Sequence, residues 1–222
     1  MILVPDPENK ISTSYGITAH LYSLFTGMLF MLTGVVEKQF RKRIYLKFLP
    51  LKDDQKVLDI CCANGFGTGI LASTFPACSI DALDLNPQMI TVARRNNAHI
   101  KNIHFQVADC THLPFPDNSF DMLTAFLALH ELPTNLLGSA MKEITRVLKP
   151  GGFLFVFELN TPNPIPLHLR WMYFTFRLFE DEAAARFMIS EQENIIEPFG
   201  FKMLKKENYF LGFGNAFLFC KL

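Results

Sequence analysis

Charge imbalance is the first thing missing from this sequence: Lys plus Arg number 21, as do Asp plus Glu, so no net field draws the chain towards nucleic acid. Cysteine is sparse. The five residues Cys61, Cys62, Cys78, Cys110 and Cys220 are odd in number and contain no Cys-x-x-Cys spacing, which argues against a disulfide framework or a zinc site and for a reducing, cytoplasmic setting. No metal site is expected. The opening Met-Ile-Leu-Val-Pro-Asp-Pro-Glu has no basic region ahead of an apolar one, so a cleaved signal peptide is not expected. Internal repeats and low-complexity tracts are absent too.

Charge is also lacking between Ile17 and Val36, and Lys38, Arg41, Lys42 and Arg43 follow, the outline of a membrane span with a positive flank. His20, Ser23, Thr26, Gly27, Thr33 and Gly34 interrupt that run. It reads better as a buried helix or one lying at a membrane surface. What the chain has in quantity is apolar surface: 23 phenylalanines and a mean hydropathy of +0.19, more than a core alone requires. An apolar or lipid-like partner is expected, with peripheral membrane contact as one way of reaching it.

At 222 residues the chain suits one domain with appended lids. From Lys56 onward, apolar runs at Val57 to Cys61, Ser79 to Leu83, Ile103 to Val107, Met122 to Leu127 and Phe153 to Phe157 alternate with helical patterns. That alternation predicts a doubly wound, mostly parallel sheet with helices on both faces. Met141 to Leu148 has helical spacing, and Lys149-Pro150-Gly151-Gly152 predicts a tight turn before the next strand. Phe201 to Leu204, a turn near Lys205 to Asn208, and Tyr209 to Cys220 predict an antiparallel pair closing the sheet edge. Residues 1–50 and about 161–190 fall outside the pattern and are expected to be helical lids over domain 51–222. The second of them carries Trp171, Tyr173, Phe174, Phe176 and Phe179.

Three strand ends carry the chemistry. Val57-Leu58-Asp59-Ile60 runs into Cys61-Cys62-Ala63-Asn64-Gly65, a loop of mostly small residues followed by a helix, where backbone can approach a ligand and helix N–H groups are free. Asp84 ends the second strand at the spacing expected of a carboxylate that accepts ribose hydroxyls. Gly65-Phe66-Gly67-Thr68-Gly69 has the wrong spacing for the dinucleotide fingerprint. Asp109 ends the third strand, and Phe120-Asp121 opens the fourth, which finishes at Leu127-Ala128-Leu129-His130-Glu131.

In this order, and with Arg146-Val147-Leu148-Lys149-Pro150-Gly151-Gly152 before the fifth strand, these elements resemble the class I S-adenosylmethionine-dependent methyltransferases over about residues 10–160. The resemblance implies a seven-stranded sheet, S-adenosylmethionine as cofactor, and a cofactor site formed by Asp59, Cys61, Ala63, Asn64, Gly65, Asp84, Leu85, Met89, Asp109, Cys110 and Leu127. Asp84 would take the ribose, Asp109 the adenine amino group, and Asp59 the loop amides. The Cys61-Cys62 pair and the stretch Tyr15 to Ser23 look closest to the ubiquinone and menaquinone C-methyltransferases, which adds Tyr15 and Tyr22 as cofactor caps. Two departures stand out. Gly16 and Ser23 replace the family's aspartates, and of its Gly-x-Gly-x-Gly only Gly65 survives; Ala63 fits that loop if its φ is negative. His130 follows the fourth strand where the family places substrate-facing groups, so it is the candidate base for an acceptor phenol, with Glu131 orienting it. A phospholipid amine, a small metabolite, or a non-catalytic role as an adenosyl-binding assembly subunit are the alternatives to a quinol carbon.

Overall fold

A computed structural model of the chain describes residues 36–161, 165, 167, 170, 187, 188 and 190–222. Tyr15, Tyr22 and most of both expected lids lie outside them. The elements run α1 (Glu37–Phe48), β1 (Lys56–Ile60), α2 (Phe66–Thr74), β2 (Ser79–Asp84), α3 (Pro87–Asn96), β3 (Ile103–Val107), β4 (Phe120–Phe126), α4 (Thr134–Val147), β5 (Leu148–Leu159), α5 (Gln192–Ile196), β6 (Phe201–Tyr209) and β7 (Gly214–Lys221).

The strands form one sheet in the order β3-β2-β1-β4-β5-β7-β6. Pairings from β3 through β5 are parallel, and β7 runs antiparallel to both β5 and β6. The doubly wound reading and its antiparallel edge therefore hold. The order reverses between β1 and β4, where the loops leaving both strands diverge and leave a crevice at their carboxyl ends.

Alternation along each strand separates two cores. Val57, Ile80, Met122 and Phe155 face α1 and α2 through Ile44, Tyr45, Phe48, Ile70 and Leu71. Leu58, Ile60, Leu123, Leu154 and Val156 face α4 through Leu137, Met141 and Ile144. Burial on both faces explains why β1 and β4 read as continuous apolar runs.

Two boundaries differ from the sequence expectation. Lys149 to Gly152 is no separate turn: β5 begins at Leu148, directly after α4, and takes in Gly151 at φ +73 with a register shift between Phe120 and Met122 on β4. The expected turn at Lys205 to Asn208 is the second half of β6; the hairpin instead reverses over Phe210, Leu211 and Gly212, all at positive φ. As one of the sheet's two edge strands, β6 exposes Lys202, Leu204 and Lys206, so its polar residues mark an edge and not a bend.

Candidate active site

The crevice at the β1/β4 divergence is lined by Glu37, Arg41 and Tyr45 from α1, by Asp59 to Asn64, and by Met89 and Phe126. Its floor is the first loop. Cys61 at φ +52, Ala63 at φ +48 and Gly65 at φ +73 all occupy the left-handed region, at the three positions where the family pattern has glycine. The condition for an unstrained alanine at position 63, a negative φ, is therefore not met: the turn between β1 and α2 needs this backbone whatever residue supplies it, so Ala63 bears the strain. Gly65 has no such latitude. A Cβ there would meet Ala93 Cβ and Asn97 Nδ2 at 2.8 Å. Asn97, from the end of α3, donates to the Gly65 carbonyl at 3.1 Å and clips the loop down.

Asp84 braces this loop from the end of β2. Its Oδ2 accepts the Ala63 N–H at 2.9 Å and its Oδ1 accepts the Asn86 N–H at 2.9 Å. Burial raises its carboxyl above the usual carboxylate range, and the two backbone bonds oppose that. It is not the helix cap, since Asn86 holds that position through the Gln88 N–H. Leu85 beside it is exposed and Met89 half-buried, an apolar edge next to an acid, as a nucleoside needs.

Asp59 departs from its expected role. Its oxygens accept from the Thr68 and Thr124 hydroxyls, each at 2.6 Å, and not from loop amides. It lies on the strand face turned towards α1 and α2, beneath Arg41, and burial pushes its carboxyl up. Asp109 is exposed at the end of β3, where Oδ1 accepts both the N–H and the hydroxyl of Thr111 at 2.8 Å. That local turn fixes the carboxylate and leaves Oδ2 for a ligand. Cys110 is buried and receives a hydrogen bond from the Cys61 thiol, which pulls Cys110 below the ordinary thiol range and pushes Cys61 above it. Leu127 is buried at φ +55 and donates its N–H to Phe157, carrying the chain out of β4.

His130 and Glu131 sit on a short turn after β4, and the Glu131 charge is felt at the Cys61 thiol, so this turn and the first loop adjoin. His130 is 3 % exposed and its Nδ1 is 2.5 Å from Glu158 Oε2.

Two groups escaped the sequence reading. Arg41 looked like part of a basic flank, yet it is 9 % exposed, pairs with Glu37 at 2.8 Å and lies 3.6 Å over the Phe126 ring. The signal was the spacing: Glu37, Arg41 and Tyr45 recur once per helical turn and share a face. Glu158 was visible only as an acid at the end of an apolar strand.

Together these groups fit an adenosyl amino acid: a braced carboxylate for ribose diol, a second acid for the adenine amino group, a close-approach loop between, and an inward guanidinium suited to the amino-acid carboxylate. The comparisons agree. Residues 57–152 match a family described as a methyltransferase domain. The demethylmenaquinone methyltransferases of Staphylococcus haemolyticus and Staphylococcus aureus are 36% and 34% identical to the chain over 141 residues. Those matches take in 63% of this chain and only 58% and 57% of the relatives' length. A SAM-dependent methyltransferase from Methanosarcina mazei shares the fold at TM-score 0.60 and 23% identity, covering 81% of this chain and 97% of that one. The [4+2]-cyclase SpnF does so at TM-score 0.67 and 17% identity, covering 92% and 94%. Sheet order and family match agree on the class: residues 57–152 match a methyltransferase domain, on a fold shared with an S-adenosylmethionine-dependent methyltransferase of known structure. Over those 141 residues it is similar in particular to the demethylmenaquinone methyltransferases.

Proposed function

We propose that the protein transfers a methyl group from S-adenosylmethionine to an apolar acceptor, the ring carbon of a polyprenyl quinol being the acceptor we favour. The observation that carries the reading is the first loop: three alternate left-handed positions, the middle one tied to Asp84, at the β1/β4 divergence, in a chain about one-third identical to demethylmenaquinone methyltransferases over 141 residues. The cofactor supplies an already activated methyl group, so the protein's work is alignment, exclusion of water and control of one proton. Asp84, Asp109 and Arg41 would hold its ribose, adenine and amino-acid ends. A phenol ring carbon becomes nucleophilic when its hydroxyl is deprotonated, and His130, on the turn next to the loop, is the group to which we assign that proton.

Incubating the protein with methyl-labelled cofactor and either demethylmenaquinol or a total lipid extract tests this. Label on the quinol supports the reading. Label on a phospholipid headgroup, or on a water-soluble metabolite, replaces the acceptor; tight cofactor binding without transfer to any of them establishes the adenosyl-binding alternative.

A further inference from the structure

β5 is apolar from Phe153 to Phe157 and again at Leu159, but Glu158 interrupts it with a carboxylate of which nothing is exposed. An acid in that position is costly unless every lone pair facing the protein is used. It is used. Oε1 accepts the backbone N–H groups of Ala128 at 2.9 Å and Leu129 at 2.7 Å, and Oε2 meets His130 Nδ1 at 2.5 Å. All three partners belong to the chain leaving β4, which has already been turned by the left-handed Leu127 and tied to β5 through the Leu127 N–H and the Phe157 carbonyl at 2.7 Å. One side chain on β5 thus fixes both the backbone that carries the histidine and the ring itself.

We infer that Glu158 is a positioning residue for the methyl-transfer reaction, holding His130 in the tautomer with the proton on Nδ1 so that Nε2 is the proton-accepting atom. The inference rests on the reading of His130 as the acceptor's base. A carboxylate accepts and does not donate, so the hydrogen between Oε2 and Nδ1 belongs to the ring. With Nδ1 protonated, the lone pair of a neutral imidazole is on Nε2, at the opposite end of the ring. When Nε2 takes a proton from a phenol, the imidazolium formed is stabilised by a carboxylate already in contact with it, in a setting where water screens little of the attraction. Glu158 from β5 is in direct contact with the ring, and the acid Glu131 is the next residue along the same short turn.

A capping role alone would account for the two backbone bonds but not for the second oxygen, which a glutamine would leave as an amide. That difference is the test. Glu158→Gln keeps the shape and can keep Oε1 on the Ala128 and Leu129 N–H groups, yet it presents N–H donors to Nδ1 and so drives the ring to the other tautomer. In nitrogen-15 spectra of histidine-labelled protein, the His130 signal, assigned by its absence from His130→Gln, should show a protonated Nδ1 in the wild type and a protonated Nε2 in Glu158→Gln. With demethylmenaquinol as acceptor, Glu158→Gln should lose roughly 100-fold in kcat while calorimetric affinity for S-adenosylmethionine is unchanged. Its remaining turnover should reach its maximum at lower pH than the wild type's, and the double variant with His130→Ala should be no slower than His130→Ala alone.

A wild-type ring protonated on Nε2 with bare Nδ1 overturns the inference, and this reading needs no variant to fold. So does a Glu158→Gln enzyme with normal kcat and an unmoved pH profile when His130→Ala is inactive. Normal turnover in His130→Ala is a different failure: it removes the histidine from the reaction, and the role of Glu158 goes with it.

Discussion

Replacing Ala63 by glycine should stabilise the protein, although glycine substitution usually does the reverse. At φ +48 the alanine Cβ crowds the following carbonyl, a strain of about 1–2 kcal/mol for an L-residue. Against this stands the larger freedom glycine gives the unfolded chain, about 0.5–1 kcal/mol. The hydrogen bond from the Ala63 N–H to Asp84 is a backbone bond and survives the change. The balance is a gain of about 0.5–1 kcal/mol, which in a chain of this length raises Tm by about 1–4 °C. Two positions along, the sign reverses. Gly65→Ala would place a methyl group 2.8 Å from both Ala93 Cβ and Asn97 Nδ2 at φ +73, so strain and overpacking add to a loss of about 2–4 kcal/mol. Urea unfolding of the three proteins, with m compared so that unfolded-state effects are seen, measures both changes. A destabilised Ala63→Gly at unchanged m would show that the loop is relaxed with alanine in place, and that glycine is missing because nothing there requires it.

Asp84→Ala should weaken S-adenosylmethionine binding at least about 10-fold, near 1.4 kcal/mol, since ribose loses its acceptor and the Ala63 amide its brace; unchanged affinity in calorimetry removes the site from the β1/β4 crevice. Asp109→Ala should lower cofactor affinity and leave the apparent affinity for demethylmenaquinol nearly intact, whereas equal losses point to general damage. Burial keeps the Asp59 carboxyl protonated to higher pH in the folded state than in the unfolded chain, so its contribution is full in acid and is lost as pH rises through the folded value. Asp59→Asn should therefore gain on the wild type as pH is raised from about 4 to 7, and a stability difference that does not vary with pH would contradict this assignment. No helix among the described residues is long and apolar enough to cross a membrane; the uncharged run from Ile17 lies almost wholly outside them, and if it only rests on a bilayer, carbonate washing should release the protein from membranes.

What the sequence by itself determined is what short stretches of chain encode. Each parallel strand is a run of buried apolar residues, each strand end a change from apolar to small or acidic residues, and the candidate acids Asp59, Asp84 and Asp109 follow because a strand of known direction delivers its last residues to a known edge. Those signals depend on near neighbours and need no knowledge of packing. The tertiary structure decided what depends on residues far apart in sequence. Glu158 and His130 meet across 28 positions, and their pairing exists only because β5 lies beside β4. Arg41 turns inward, and not towards solvent with Lys42 and Arg43, because the face it shares with Tyr45 is the one α1 lays over Asp59 and Phe126. The left-handed backbone at Cys61 and Ala63 likewise comes from the path that β1, α2 and the Asp84 brace impose, against the preference of the residues that occupy it.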